Sequence, residues 1–291
     1  MKFLALNFKK RKTCTCFLLA VFSTLLAPLH GFTEGKEFRK RGQDQVVETE
    51  EDIVAEVRFG KLLAAKILGK YKIFEGDPVL VKYVNLVGHG LARYSGRPEL
   101  DFHFALLDSD SINAFAAPGG YVFLTLGSLK RMRSEAELAG VLAHEIAHVS
   151  QKHIARDLGI RGRDSSVFAN FSALIQGVGG GGSVEAVFHE VSDRAAELLL
   201  DKGLKEEDEL EADRLGTLIS AQVGYNPSAL RDYLGLIRDE TQDEKSLVRY
   251  KKTHPSFDKR IENLRVLAVT NGLTAVEGKD VRERFIRFAG E

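Results

Sequence analysis

Two histidines and a glutamate lie within five residues, in the sequence His144-Glu145-Ile146-Ala147-His148. Residues four apart on an α-helix lie on the same face, so both imidazoles can reach one metal ion. Glu145 directly follows the first histidine and projects beside such a metal, where it can take a proton from a water molecule. The spacing therefore predicts a catalytic metal centre on a helix.

The sequence around this motif predicts a buried helix. Ser134-Glu135-Ala136-Glu137 forms a capping box, and the stretch that follows, LAGVLAHEIAHV, contains one glycine and no proline. The residues that flank the motif are uncharged, which is typical of a helix buried on nearly every side. Each buried polar group without a partner costs about 1–3 kcal/mol, and metal binding removes that cost. We therefore expect a metal site rather than incidental surface histidines.

Zinc is the metal that these residue types favour, because two imidazoles and one carboxylate, with a fourth position open to water, form a usual catalytic zinc set. The extended pattern HExxHxxGxxH is excluded, since Gln151 and Ile154 stand where it requires glycine and histidine. His153 lies about 140° around the helix from His148 and is expected to be solvated or hydrogen-bonded. The third ligand should therefore be a carboxylate from another helix.

An acidic run, EEDELEAD from Glu206 to Asp213, supplies candidate carboxylates. The run would also suit a solvated helix start, since acidic side chains are favoured near a helix N-terminus. Within it, Glu209 and Asp213 are four residues apart on one face, which continues to the small residues Gly216 and Thr217. Another helix could approach this face closely. One carboxylate could then bind the metal while the other orients a ligating imidazole.

Four motifs in the chain resemble those of one metallopeptidase family. They are NAFAAPGG from Asn113, HEIAH from His144, ELEADRLG from Glu209, and Thr253-His254-Pro255. Together they resemble the gluzincin family that includes HtpX, the CAAX prenyl proteases, the mitochondrial Oma-type proteases and the periplasmic proteins BepA and LoiP. The chain is most similar to the soluble BepA and LoiP group. We expect it to lack the TPR module of BepA, because it ends 22 residues after its last predicted helix.

The resemblance implies a role for each matching residue. It places the third zinc ligand at Glu209 rather than Glu211, beside His144 and His148, and makes Asp213 the acid that orients a ligand. One zinc ion per chain is implied. The resemblance also implies that an extended substrate pairs with a strand edge formed by Asn113, Ala114, Phe115, Ala116, Ala117, Pro118, Gly119 and Gly120.

His254 has three interpretations. In relatives, a histidine at this position can approach the metal, so His254 could be a fourth zinc ligand in a resting state or could stabilise the oxyanion. Alternatively, it is only the residue at the entry of a helix that begins near Pro255.

Helical patterns dominate the chain. Helices are predicted from about residue 50, from Asp77-Pro78, from Ser134, over 206–223, from Asn226-Pro227, and from Pro255 or Ser256 to about residue 269. Residues 102–107 and 121–126 are β-prone and flank the turn at Pro118-Gly119-Gly120, which predicts a small antiparallel sheet beside the motif helix. The predicted fold is therefore α+β, a mostly helical zincin-like metalloprotease domain.

The N-terminal segment has the pattern of a secretory signal, with five basic residues before an apolar run from Cys16 to Leu29. A membrane-spanning helix needs about 20 apolar residues, and this run is shorter. The alternative to a cleaved signal is that the segment stays uncleaved as a membrane anchor. Cleavage near Gly31 would leave a chain with a net charge of −5 and no cysteine. Such a chain has no disulfides, and its charge disfavours a nucleic-acid partner.

We divide the chain into a signal peptide (1–31), a linker (32–48), a zinc metallopeptidase domain (49–269) and a C-terminal tail (270–291). The glycine run at 177–183 is expected to be a flexible hinge, because no Gly-Lys-Ser/Thr follows it as a phosphate-binding loop requires.

These features predict an exported zinc metalloendopeptidase of the periplasm or cell envelope, acting on unfolded or misfolded envelope polypeptides in protein quality control. The alternative is a zinc-bound chaperone or assembly factor of the envelope whose protease site is latent.

Overall fold

The computed structural model describes residues 50–158, 182–240 and 254–290. Residues Glu48–Glu291 form one compact unit. The predicted signal peptide, the linker and most of the glycine run at 177–183 lie outside the described residues.

Helices make up most of the described residues, as the sequence predicts. In chain order they are α1 (Glu50–Lys70), α2 (Pro78–Ala92), α3 (Leu126–Leu129), α4 (Glu135–Ser150), α5 (His153–Asp157), α6 (Gly182–Glu197), α7 (Glu206–Val223), α8 (Ala229–Glu240), α9 (Phe257–Thr270) and α10 (Arg282–Ala289). A π-helical turn, Leu198–Lys202, follows α6. None of the described helices is long and apolar enough to cross a membrane.

Three of the predicted helix boundaries are confirmed by their capping interactions. The side chain of Asp77 accepts a hydrogen bond from the N–H of Val79 at 2.8 Å, at the start of α2. The hydroxyl of Ser134 accepts one from the N–H of Glu137 at 3.2 Å, at the start of α4. Gly224 ends α7 in the left-handed conformation, with φ 100°, which glycine adopts without strain.

The sheet has three strands, β1 (His103–Leu107), β2 (Ala114–Ala117) and β3 (Tyr121–Thr125), in the order β1-β3-β2. β1 and β3 are parallel, whereas β2 and β3 are antiparallel. The predicted antiparallel pairing of 102–107 with 121–126 was therefore wrong, and the sheet is mixed. The reason is that the segment between them forms its own strand, AFAA, which is buried at every position and shows no alternation in the sequence.

The turn between β2 and β3 is held by the buried Glu56 of α1. Its carboxylate accepts a hydrogen bond from the N–H of Gly119 at 3.2 Å and pairs with Arg97 at 2.8 Å and Lys152 at 2.9 Å. Gly119 has φ 74°, and a Cβ there would lie 2.7 Å from the Cα of Val57. Glu56 therefore joins α1, the strand turn and the end of α4.

The core lies on both faces of the sheet. One apolar cluster packs residues of α2, α4, α8 and α10 against alternate strand positions, including Phe104, Val122 and Leu124. A second cluster packs residues of α1 and α6 against the opposite face, at Phe115 and Phe123. Every residue of α4 from Glu135 to Val149 is buried, so the motif helix lies inside the protein as predicted.

Residues 270–291, expected to be a tail, instead contribute a helix to the fold. Phe285 of α10 is buried, and the ring of Phe288 stacks on Tyr83 of α2 with a centroid distance of 4.9 Å. The N–H of Ala136, in the first turn of α4, donates to the carbonyl of Asp280 at 3.1 Å. This segment therefore packs around the N-terminus of α4, the helix that carries the motif.

Glu135, the first residue of α4, links these elements through its buried carboxylate. It accepts hydrogen bonds from the hydroxyls of Tyr83 at 2.8 Å and Tyr225 at 2.6 Å, and it forms an ion pair with Arg284 of α10. Burial alone would raise the pKa of Glu135, but the donors, Arg284 first, outweigh burial and lower it below its ordinary value. The carboxylate is therefore charged at neutral pH.

Replacing Arg284 with methionine should lower the free energy of unfolding at neutral pH, because Glu135 would stay buried without its cation. We expect a loss of about 1–3 kcal/mol, towards the lower end since Arg284 is half-exposed and screened by solvent. Urea unfolding measures this, with Arg287→Met on the same helix as the matched control. An equal loss of unfolding free energy in Arg284→Met and Arg287→Met would contradict a specific role for the ion pair between Arg284 and Glu135.

The same pair predicts a dependence on pH. Because folding lowers the pKa of Glu135, its stabilising contribution is present above its ordinary pKa of 4.5 and is lost as the pH falls below that value. The stability difference between the wild type and Arg284→Met should therefore shrink as the pH is lowered through this range.

Candidate metal centre

His144 and His148 lie one turn apart on α4, and Glu209 reaches them from α7. The Nε2 atoms of the two histidines are 3.0 Å apart. Glu209 Oε2 lies 3.6 Å from His144 Nε2, and Glu209 Oε1 lies 3.5 Å from His148 Nε2. All three side chains are buried. The structure thus brings together the three residues that the sequence analysis named as metal ligands.

These side chains fit a divalent metal ion. Two nitrogen ligands at 2.0–2.1 Å from a tetrahedral zinc ion lie about 3.3 Å apart, close to the separations seen here. Glu209 Oε2 is buried and has no hydrogen-bond partner among the described residues. A buried carboxylate oxygen without a partner is costly, and a cation between the three side chains would satisfy it.

The charges at the site have identifiable causes. Burial lowers the pKa of His148 well below its ordinary value, so this imidazole is neutral, as a metal ligand must be. Burial and Arg260 also oppose protonation of His144, but the neighbouring carboxylates, Asp213 first and then Glu209, outweigh them and raise its pKa to about 9. Burial would raise the pKa of Glu209, yet the three histidines around it lower it strongly.

Asp213 lies on the far side of the first ligand. Its Oδ1 is 3.0 Å from His144 Nδ1. The buried Arg260 of α9 donates to Asp213 Oδ2 at 2.8 Å from Nε and to Oδ1 at 2.5 Å from Nη2. This arrangement lets Asp213 accept the Nδ1–H of His144 and leaves Nε2 free to bind the metal. Arg260 carries no local sequence signal, and the sequence analysis did not find it.

His153 is buried behind the second ligand. Its Nδ1 lies 2.7 Å from His148 Nδ1, which is the nitrogen that faces away from Glu209. It therefore does not share the metal position, and of the two expected environments, solvated or hydrogen-bonded, the structure shows the second.

Glu145 lies beside the ligands and lines two hollows that flank them. Burial raises its pKa to about 7. A general base works best when its pKa is near the working pH, so the buried carboxylate suits proton transfer near neutrality.

β2 is an edge strand, since β3 pairs with one side of it and no described strand pairs with the other. Ala114 lines both hollows, and Phe115 and Ala116 line one of them, next to Glu145. The Nδ2 atom of Asn113 is buried and has no partner among the described residues. The first residues of the predicted substrate segment are therefore placed beside the metal ligands.

The remaining residues of that segment have other surroundings. Ala117 is fully buried, and Pro118, Gly119 and Gly120 form the turn that packs near α1. Of this segment, the structure thus places Ala114, Phe115 and Ala116 beside Glu145.

His254 faces the metal ligands from the residues that precede α9. Its Nε2 lies 3.7 Å from Glu209 Oε2, and its side chain lines both hollows. A side chain in this position can reach either a metal ion or a substrate carbonyl beside it.

The two ligand-bearing helices meet at Gly216 of α7. A Cβ at this position would lie 2.6 Å from the backbone nitrogen of His144 and 2.8 Å from its Cα. The small residues here were predicted to admit a helix, and the structure confirms that role for Gly216.

Replacing Gly216 with alanine should push α7 away from α4 and so separate Glu209 from the two histidines. We expect a loss of about 1–3 kcal/mol in unfolding free energy, as for other overpacked sites, and a weaker affinity for zinc. The matched control is Gly235→Ala in α8, where a Cβ would meet nothing within 4 Å and should stabilise the helix by about 0.5–1 kcal/mol. Wild-type stability and zinc affinity in Gly216→Ala would refute this role.

The chain is similar in sequence to known peptidases. The model of peptidase family M48 matches residues 79–268. The beta-barrel assembly-enhancing protease of Escherichia coli (strain K12) is 30% identical over 220 residues, 72% of this chain and 43% of that protein. The protein of that name from Yersinia pestis is 30% identical over 203 residues, 65% of this chain and 39% of that protein.

A mitochondrial relative is also similar. The metalloendopeptidase OMA1 of Schizosaccharomyces pombe is 30% identical over 188 residues, 62% of this chain and 51% of that protein. The chain therefore spans less than half the length of the two bacterial relatives and about half that of the mitochondrial one.

Proposed function

Because this chain belongs to peptidase family M48, as its four motifs predicted, we propose that it is a zinc-dependent endopeptidase with one zinc ion per chain. The observation that carries the proposal is the convergence of His144, His148 and Glu209 on one point, with the buried Glu145 beside it. Two histidines and one carboxylate form a usual ligand set of catalytic zinc.

The reaction follows from the positions of these side chains. Zinc at this site would polarise the scissile carbonyl and lower the pKa of the attacking water. Glu145 takes a proton from that water and later passes it to the departing amine. Asp213 holds His144 in the orientation and tautomer that a ligand needs. An extended peptide can pair with the free edge of β2, which places its carbonyl next to Glu145.

The natural substrates we propose are unfolded or misfolded polypeptides of the cell envelope, reached after export through the N-terminal signal. An extended conformation is required to pair with an edge strand, and unfolded chains adopt it readily. The name of the two bacterial relatives, beta-barrel assembly-enhancing protease, supports a place in envelope protein quality control.

Glu145→Gln should keep zinc but abolish peptide cleavage, because glutamine preserves the shape of the side chain and cannot accept a proton. Zinc content of the purified protein and cleavage of unfolded casein measure the two effects. Unchanged turnover in Glu145→Gln would contradict the assignment of Glu145 as the general base.

The companion variant Glu209→Ala should lose zinc as well as activity, since it removes the third ligand. Glu206→Ala is the matched control, because Glu206 lies in the first turn of the same helix and is exposed. Stoichiometric zinc in Glu209→Ala would show that the third ligand lies elsewhere.

The second candidate function, a zinc-bound assembly factor with a latent protease site, is favoured by one observation. His254 Nε2 lies 3.7 Å from a ligand oxygen, where it could complete the metal shell and block the reaction. His254→Ala distinguishes the two: we expect the wild type to cleave casein, and loss of His254 to lower the rate if it stabilises the oxyanion. A zinc-loaded wild type that is inactive until His254 is replaced would establish the latent form.

A further inference from the structure

His153 connects a proposed zinc ligand to a charged group on α7. It is fully buried at the start of α5, with its ring nearly perpendicular to that of His148 at a centroid distance of 4.8 Å. Its Nδ1 lies 2.7 Å from His148 Nδ1, and its Nε2 lies 3.4 Å from Glu211 Oε2. Both ring nitrogens of His153 therefore have a polar neighbour, and neither points towards the proposed metal position.

The direction of each hydrogen bond follows from the metal site. His148 presents Nε2 to Glu209 and His144, so in a neutral imidazole that binds metal through Nε2 the proton lies on Nδ1. This Nδ1–H points at His153 Nδ1, which must then accept with its lone pair. The remaining proton of His153 lies on Nε2 and points at Glu211. A single placement of the ring protons therefore satisfies both hydrogen bonds, from His148 to His153 and from His153 to Glu211.

The carboxylate at the end of this series is held by a cation. Arg156 Nη2 lies 3.1 Å from Glu211 Oε2 and also contacts Asp208, which is buried. A carboxylate that pairs with a guanidinium in this way can accept the Nε2–H of His153.

The same residues do not favour a second metal site. His153, Asp208 and Glu211 are spaced as metal ligands could be. However, the guanidinium of Arg156 already lies against both carboxylates, and a divalent cation would have to displace it. The hydrogen bond between His153 and His148 is therefore the function that this geometry supports.

We propose that His153 is a positioning residue for the metal centre: it accepts the Nδ1–H of His148 and so fixes the tautomer and the ring orientation that aim Nε2 at the metal. The proposal rests on the proposed function of His148 as a ligand. The two ligand imidazoles thus have different partners. A carboxylate paired with an arginine lies behind His144, and another imidazole lies behind His148. Such outer partners typically contribute 10–100-fold to metal affinity.

Two substitutions separate hydrogen bonding from packing. His153→Leu fills the space but offers no acceptor, whereas the Oδ1 of His153→Asn can take the place of Nδ1 and accept the same hydrogen bond. Zinc affinity is measured by competition with a chelator of known affinity. We expect His153→Leu to lose about 10–100-fold and His153→Asn to lose less than about tenfold.

The melting temperature of each metal-free variant is measured alongside, because a role limited to packing would lower stability and affinity together. Equal losses of zinc affinity in the asparagine and leucine variants would overturn the proposal, as would wild-type affinity in His153→Leu. Glu211→Gln is the matched control: it removes the charge but keeps an acceptor for His153 Nε2–H, so its zinc affinity should be closer to the wild type than that of His153→Leu.

A further test uses only the zinc-loaded wild type, so it does not depend on the folding of a variant. Two-bond proton–nitrogen correlation spectra of the imidazoles should show the proton of His148 on Nδ1 and that of His153 on Nε2. A proton on His153 Nδ1 would overturn the proposal.

The two proposals fail in different ways. If the wild type binds no zinc, the proposed function fails. If it binds zinc and His153→Leu binds it equally well, only the role of His153 fails.

Discussion

The backbone contact between α4 and α7 at Gly216 is the constraint on which the metal centre depends. At this contact the distance between the helices is set by the main chain of His144 rather than by side chains. Each helix presents two functional residues four positions apart, and the two pairs interlock. Glu209 reaches the Nε2 atoms of both histidines, while Asp213, one turn later, reaches only the Nδ1 of His144. One helix face thus supplies both a proposed ligand and the group proposed to orient another.

The buried charges at this contact are balanced from elements outside the two helices. Arg260 of α9 pairs with Asp213, and Arg156 of α5 pairs with Asp208 and Glu211. Glu209 differs from them, because its Oε2 has no hydrogen-bond partner among the described residues and lies 3.7 Å from His254 Nε2. Burying a carboxylate without a partner is unfavourable. The fold therefore pairs the supporting acids with arginines and leaves Glu209, which lines the same pocket as Glu145, to be satisfied by a cation.

The parts that could be predicted from the sequence are those whose signals are local. The capping box at Ser134 and the four-residue spacing of His144 and His148 each act within a few residues, and the structure reproduces them. Gly216 contacts a distant helix, but its small size and its place on the face of Glu209 and Asp213 could be seen in the sequence. The sheet was only partly predictable, because AFAA is buried on both faces and resembles a turn flank rather than a strand. Arg260 and His153 were missed as partners of the metal centre, since their contacts depend on how α9 and α5 pack against α4.

The ion pair at the start of α4 has a consequence for biosynthesis. Arg284 follows Glu135 by 149 residues, so a chain emerging from the ribosome has completed the HEIAH helix long before its anchoring cation is made. During that interval, Glu135 has its two tyrosine partners at most, and α10 does not yet cover α2 and α4. Because long-range contacts such as this one form late in folding, the catalytic helix becomes fully anchored only after almost the whole described domain has been translated. The HEIAH motif is thus synthesised well before the contacts that anchor its helix can form.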